Sequence, residues 1–161
     1  MEARLNLFEN PVLAKVFRHV NTAAKAVADS TLPDSTAELV KIRASQINGC
    51  GFCVDIHIKE AAAAGETPDR TGLVAAWRHS TVFSEAERAA LALAEEGTRL
   101  ADAHQGVSDE TWALVRKHYD DDQTVALVAL IAMINASNRF AVMLNNLGGS
   151  YRPGMFDGIA D

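Results

Sequence analysis

A chain of 161 residues with 48 % hydrophobic side chains has the length of one ordinary domain and can bury a core without staples. Its 15 basic and 21 acidic residues give a net charge of −6, spread without a basic cluster, which argues against nucleic acid or an anionic membrane surface as partner. Residues 1–6 show no apolar core followed by a small-residue cleavage site, and the longest nearly apolar run, 125–134, falls far short of the roughly 20 residues of a membrane span. The expectation is one cytoplasmic domain covering residues 1–161.

Alanine and leucine abound and no stretch alternates polar with apolar for long, so helices are favoured over strands. Pro11 opens a first helix running toward Ala28, which residues 30–33 terminate. Asp34 or Ser35 caps the next, with Leu39, Val40, Ile42, Ala44 and Ile47 on it, up to the Asn48-Gly49 break. A third helix is expected from Cys50 to Ala64, stopped by Gly65 and Pro68. A short helical piece over 73–78 precedes Ser84-Glu85-Ala86-Glu87, a capping box opening a helix to about Leu100. Ser108 opens another, with Trp112 and Val115 on its apolar side. Asp120, Asp121 and Asp122 place negative charge at the start of a long helix from Gln123 to about Leu144. Over 125–134 this helix is apolar nearly all round, as a central helix would be. Residues 148–161, with four glycines and Pro153, read as an irregular tail that folds over the body or a neighbouring subunit. The fold class predicted is all-α, a single-domain bundle of about six to eight helices.

The chemistry concentrates in Cys50-Gly51-Phe52-Cys53-Val54-Asp55-Ile56-His57. At about 100° per residue, positions 50, 53 and 57 fall within roughly 60° of one another on a helix, so two sulfurs and an imidazole share a face. Cys50 lies at the first turn, where free N–H groups and the helix dipole favour a thiolate, while His57 is one turn from Cys53. The spacing does not decide which sulfur attacks. Such a dithiol reduces a peroxide or disulfide, closes to a disulfide and is reset by an external reductant, with histidine moving the protons.

Other uses of a Cys-x-x-Cys pair fit less well. A closed zinc site needs four ligands, and this segment offers at most three, so His19, His79, His104 or His118 would have to complete it. A c-type haem needs histidine where Val54 stands, an iron–sulfur cluster needs four cysteines, and a thioredoxin-like motif needs a βαβ context. No cofactor is expected. Asn135, Asn138 and Arg139 share helical spacing and are expected to form a buried polar network that fixes packing. Trp77 and Trp112 read as core anchors, and Met133 and Met143 as packing residues.

The run from Glu38 through Cys50, Cys53 and His57 resembles the alkylhydroperoxidase D-like signature of the carboxymuconolactone decarboxylase superfamily. So do residues 77–80 and 83–91, and the stretch Asn135-Ala136-Ser137-Asn138-Arg139. The resemblance implies an all-helical homo-oligomer that reduces organic hydroperoxides, or a related disulfide, with a dithiol or protein reductant. It implies Cys53 as the attacking thiolate, Cys50 as its proton donor and resolving partner, and Glu38 as the carboxylate that orients His57. Phe52 departs from members with a histidine before the second cysteine, so a proton relay at that position is missing. From other classes, the alternatives are a helical metal-binding or redox-sensing module and a general disulfide reductase. A lactone decarboxylase is disfavoured, since that chemistry has no use for a vicinal dithiol.

Overall fold

The computed structural model describes residues 2–5, 9–102 and 106–156. Among the described residues there are seven α-helices, one 3-10 helix and no strand. They are α1 (Pro11–Ala28), α2 (Asp34–Ile47), α3 (Gly51–Ala63), α4 (Pro68–Leu73), the 3-10 helix Val74–His79, α5 (Glu85–Thr98), α6 (Asp109–His118) and α7 (Asp121–Met143). The all-α expectation holds.

Helix α2 is the hub, packing against α3, α5 and α7. Its Leu39, Val40, Ile42 and Ala44 are fully buried. Val40 joins the cluster built with Leu93, Val115, Leu127 and Ile131, whereas Leu39 and Ile42 face Val74, Trp77, Phe83 and Leu91. Truncating either of these two to alanine would cost about 2–5 kcal/mol. A smaller cluster of Cys50, Cys53, Ala141 and Phe52 lies at the α2–α3 elbow, against α7.

The caps explain most boundaries. Ser84 and Asp120 head complete capping boxes, with Glu87 and Gln123 returning the bond, and the Ser108 hydroxyl accepts the Thr111 N–H. Four expectations need correction. The N-cap position of α2 is Pro33 and no side chain caps it; Asp34 is already helical. Cys50 is the N-cap of α3 rather than its first residue. The piece expected over 73–78 is two elements, because Thr67 caps a short helix at Pro68, and the backbone then tightens to 3-10 at Val74 and kinks at Ala76. Trp112 and Met143 are exposed rather than packed, at 44 % and 60 %.

Helix α7 is central on one side only: Leu127, Leu130, Ile131 and Ile134 are buried, while Val125 and Val128 lie open. By length and apolarity alone it could cross a membrane. In the fold it packs against α1, α2 and α5, and presents the buried Asn135 and Asn138 to its neighbours. The tail folds back onto α3, burying Tyr151.

Candidate active site

The elbow between α2 and α3 is made by three residues. The Gly49 N–H bonds the Gln46 carbonyl and the Cys50 N–H bonds the Ser45 carbonyl at 2.9 Å, closing α2 in a Schellman motif. Gly49 takes φ +65°, the left-handed conformation that this stop requires. Cys50 thus ends one helix and caps the next, its sulfur accepting the Cys53 N–H at 3.3 Å. Both cysteines are free thiols and nearly fully buried.

The two sulfurs are not equivalent. Cys50 is pulled below the ordinary thiol value because the Cys53 thiol donates to it; burial opposes the charge, but the N–H groups of Cys53 and Phe52 and the Asn138 side chain support it. The same contact pushes Cys53 up, helped by burial and by the neighbouring charge. Yet it is Cys53, with His57, that lines a cavity of about 250 Å³ among α1, α3, α7 and the tail. Cys50 is not among the residues lining it and lies behind Cys53.

His57 is held from α2. Its Nδ1 lies 3.1 Å from Glu38 Oε2, and Lys41 Nζ donates to Glu38 Oε1 at 2.5 Å. Burial alone would raise the Glu38 carboxyl, but the bonds from His57 and Lys41 bring it down to about 2. An ionised carboxylate only accepts, so Nδ1 carries the imidazole proton and Nε2 is left as the basic nitrogen. Burial pushes His57 below its ordinary value, and Glu38 offsets this in part. The imidazole is therefore neutral near pH 7 and ready to accept a proton.

Behind the sulfurs runs a polar chain that the sequence reading placed only in part. Asn48 donates to Asn135 Oδ1 and to Asn138 Oδ1, both at 2.9 Å. The fully buried Asn138 donates to Ser45 Oγ at 3.0 Å, and its side chain also reaches both sulfurs. Asn135 donates to Thr98 Oγ1 and the Ile131 carbonyl, and Arg139 closes the chain on Asn135. The expected packing network is present, and it ends on the dithiol. Asn48 reads in the sequence as a helix stop, and Ser45 as an ordinary small residue inside α2, so neither stands out. Lys41 could have been found from its i, i+3 spacing to Glu38.

Among the described residues, no three His, Cys, Asp or Glu side chains are grouped to hold a metal ion. His19 and His79 are exposed and distant in sequence from the pair, and His104 lies outside the described residues.

Residues 11–96 match the model of the carboxymuconolactone decarboxylase family. The chain belongs to that family. It is 40 % identical over 126 residues to the uncharacterized protein YdfG of Bacillus subtilis, covering 78 % of this chain and 84 % of that one. A solved protein of unknown function from Agrobacterium tumefaciens, proposed to be the antioxidant defence protein AhpD, is 33 % identical with a TM-score of 0.85, over 93 % of this chain and all of the other. The debrominase Bmp8 shares the fold at 21 % identity and a TM-score of 0.74, over 89 % of this chain and 75 % of its own.

The family match contains Glu38, Cys50, Cys53 and His57 and stops before α6. Asn138, which touches the sulfurs, and the tail, which walls the cavity, both lie beyond it.

Proposed function

We propose that the protein is a dithiol peroxidase that reduces organic hydroperoxides and is regenerated by an external dithiol. The observation that carries this reading is Cys53 at the cavity wall, in contact with Cys50 behind it and one turn from an imidazole oriented by Glu38.

In the reactive form the pair holds one proton, on Cys53. Cys53 passes it to the Cys50 thiolate along their hydrogen bond and attacks the terminal peroxide oxygen. The O–O bond breaks, Cys53 becomes a sulfenic acid, and the alkoxide leaves as the alcohol with the proton returned through Cys50 and His57. The Cys50 thiolate then attacks the Cys53 sulfur, and hydroxide departs as water with one proton that His57 relays from solvent. The products are alcohol, water and the Cys50–Cys53 disulfide; an external dithiol supplies the two electrons that reopen it. Asn138 favours charge on whichever sulfur bears it.

The test is peroxide consumption with cumene hydroperoxide and dithiothreitol, with mass spectrometry for a reversible loss of two hydrogens between Cys50 and Cys53. Turnover with that disulfide as intermediate is expected. Stoichiometric zinc blocking both thiols would overturn the reading in favour of a metal-binding module, and disulfide exchange without peroxide turnover would leave a general disulfide reductase.

A further inference from the structure

The tail is fastened to α3 along one stripe. Phe52, Asp55 and Lys59 follow i, i+3, i+7 spacing, a stripe next to the one that carries Cys53 and His57. Asp55 Oδ2 accepts the Gly149 N–H at 2.7 Å and the Tyr151 N–H at 3.1 Å. Lys59 Nζ bonds Asp55 at 2.7 Å and the Tyr151 carbonyl at 2.9 Å, and the Tyr151 hydroxyl donates to Glu60. Gly148 runs so close to α3 that a Cβ there would clash with the Gly51 carbonyl oxygen.

This strap delivers one side chain to the cavity. The Phe156 ring lies 5.2 Å from the Tyr151 ring and 6.2 Å from the Phe52 ring, centroid to centroid, and forms part of the wall facing Cys53 and His57. Phe17 of α1 adds a third aromatic, with Ile56 and Met133 between. Among the described residues, the only cation on the wall, Lys41, is paired with Glu38. A mostly aromatic and aliphatic lining, with Asn21 and Ser137 as neutral polar members and its charge paired, favours an apolar body over a charged one.

We propose that Phe156 is a specificity-determining residue, held by the Asp55–Lys59–Tyr151 strap, that selects hydroperoxides whose leaving alkoxide carries an aryl or branched-alkyl group. This rests on the peroxidase reading and names its substrate class. Hydrogen peroxide has no apolar body to place against Phe156, whereas cumene hydroperoxide does. The discriminating quantity is the ratio of kcat/KM for the two.

Phe156→Ala is expected to lower that ratio about five- to tenfold, mainly through a higher KM for cumene hydroperoxide, as follows from exposing part of one aromatic contact. Asp55→Ala, which releases the strap from outside the cavity, should lower it in the same direction by less. A ratio that moves less than about twofold in Phe156→Ala, including the case in which both peroxides slow together, overturns the proposal. Labelling of Cys53 separates this failure from failure of the peroxidase reading. With no peroxide turnover in the unaltered protein, Phe156→Ala should still reduce the preference of Cys53 for N-phenylmaleimide over iodoacetamide, read by mass spectrometry, and an unchanged preference overturns the wall itself.

Discussion

Two carboxylates of α2 and α5 sit in closely similar surroundings and do different things. The Glu38 side chain is 15 % exposed and bound by Lys41 and His57; the Glu95 side chain is 16 % exposed and bound by Arg43, Arg78 and the Trp77 indole N–H. Burial and pairing therefore do not distinguish them. The difference is in the partners. A guanidinium never releases its proton near neutrality, and Arg78 stacks on Trp77 with its charge centre 4.2 Å from the ring, so Glu95 ties α2, α5 and the 3-10 helix together. Glu38 holds a titratable ring that lines the same cavity as Cys53. Under the proposed function, a buried ion pair takes part in the chemistry only where one member can change protonation.

The largest test of that distinction removes the nucleophile. Cys53→Ser should cut dithiol-dependent peroxide turnover by at least about 10³-fold, and Cys50→Ser should stop turnover while still allowing one equivalent of peroxide to form a Cys53 sulfenic acid, detected by mass spectrometry. Multiple turnovers in Cys53→Ser would move attack to Cys50, the sulfur with the lower proton affinity. His57→Ala should come next, lowering kcat about 10²-fold. Its signature is loss of the acid-side limb of the pH–rate profile, which in the unaltered protein should lie below the usual histidine range because burial disfavours the imidazolium.

The direct comparison is Glu38→Gln against Glu95→Gln. Without the Glu38 charge the imidazolium loses its support, so the acid-side limb should move to still lower pH and kcat fall about tenfold. Glu95→Gln should leave that limb in place and cost about 3 kcal/mol of stability, measured by urea unfolding, because three donors lose a charged acceptor. An unmoved limb in Glu38→Gln would reduce Glu38 to the role of Glu95. Glu38 also has a stability signature of its own. Its folded value of about 2 lies below the ordinary 4.5, so the stabilisation is complete above about pH 4.5 and disappears as pH falls toward 2. That limb is worth roughly 3 kcal/mol at most, and Glu38→Gln should erase it.

The parts that were legible in the sequence are those encoded within one or two helical turns. The contact of Cys50 with Cys53, the cavity wall shared by Cys53 and His57, the capping box at Ser84 and the helix content all follow from spacings of three and four residues. Glu38 was readable only through the family resemblance, since nothing local sets it apart from other acids. What escaped is held by contacts across the chain. Asn48 meets Asn138 across 90 residues and Asp55 meets Gly149 across 94, and neither pairing leaves a periodic trace. Trp112 misled for the opposite reason. It lies on the apolar side of an amphipathic helix, but Val115 is buried in the main core and Trp112 is left exposed, so the pattern named the stripe without its width.

The smallest predicted effect concerns the polar chain behind the dithiol, and it asks whether that chain resembles the Glu38 cluster or the Glu95 cluster. Asn138 accepts from Asn48 with its oxygen, which turns its amide N–H groups toward Ser45 and the sulfurs. A neutral donor in a buried site stabilises a thiolate by an amount set by one charge-assisted bond, so Asn138→Ala should raise the Cys50 proton affinity. At neutral pH this leaves fewer pairs charged and slows attack by less than about tenfold, an effect that should vanish at alkaline pH where the pair is ionised regardless. Ser45→Ala is the control: it removes a partner of Asn138 without removing the donor to sulfur, so it should cost stability and leave the thiolate titration, followed by ultraviolet absorbance, in place. Equal shifts in the two variants would make the asparagine chain a packing device like Glu95, whereas a shift confined to Asn138→Ala would extend the reacting centre from α3 into α7, well beyond the stretch by which the family is recognised.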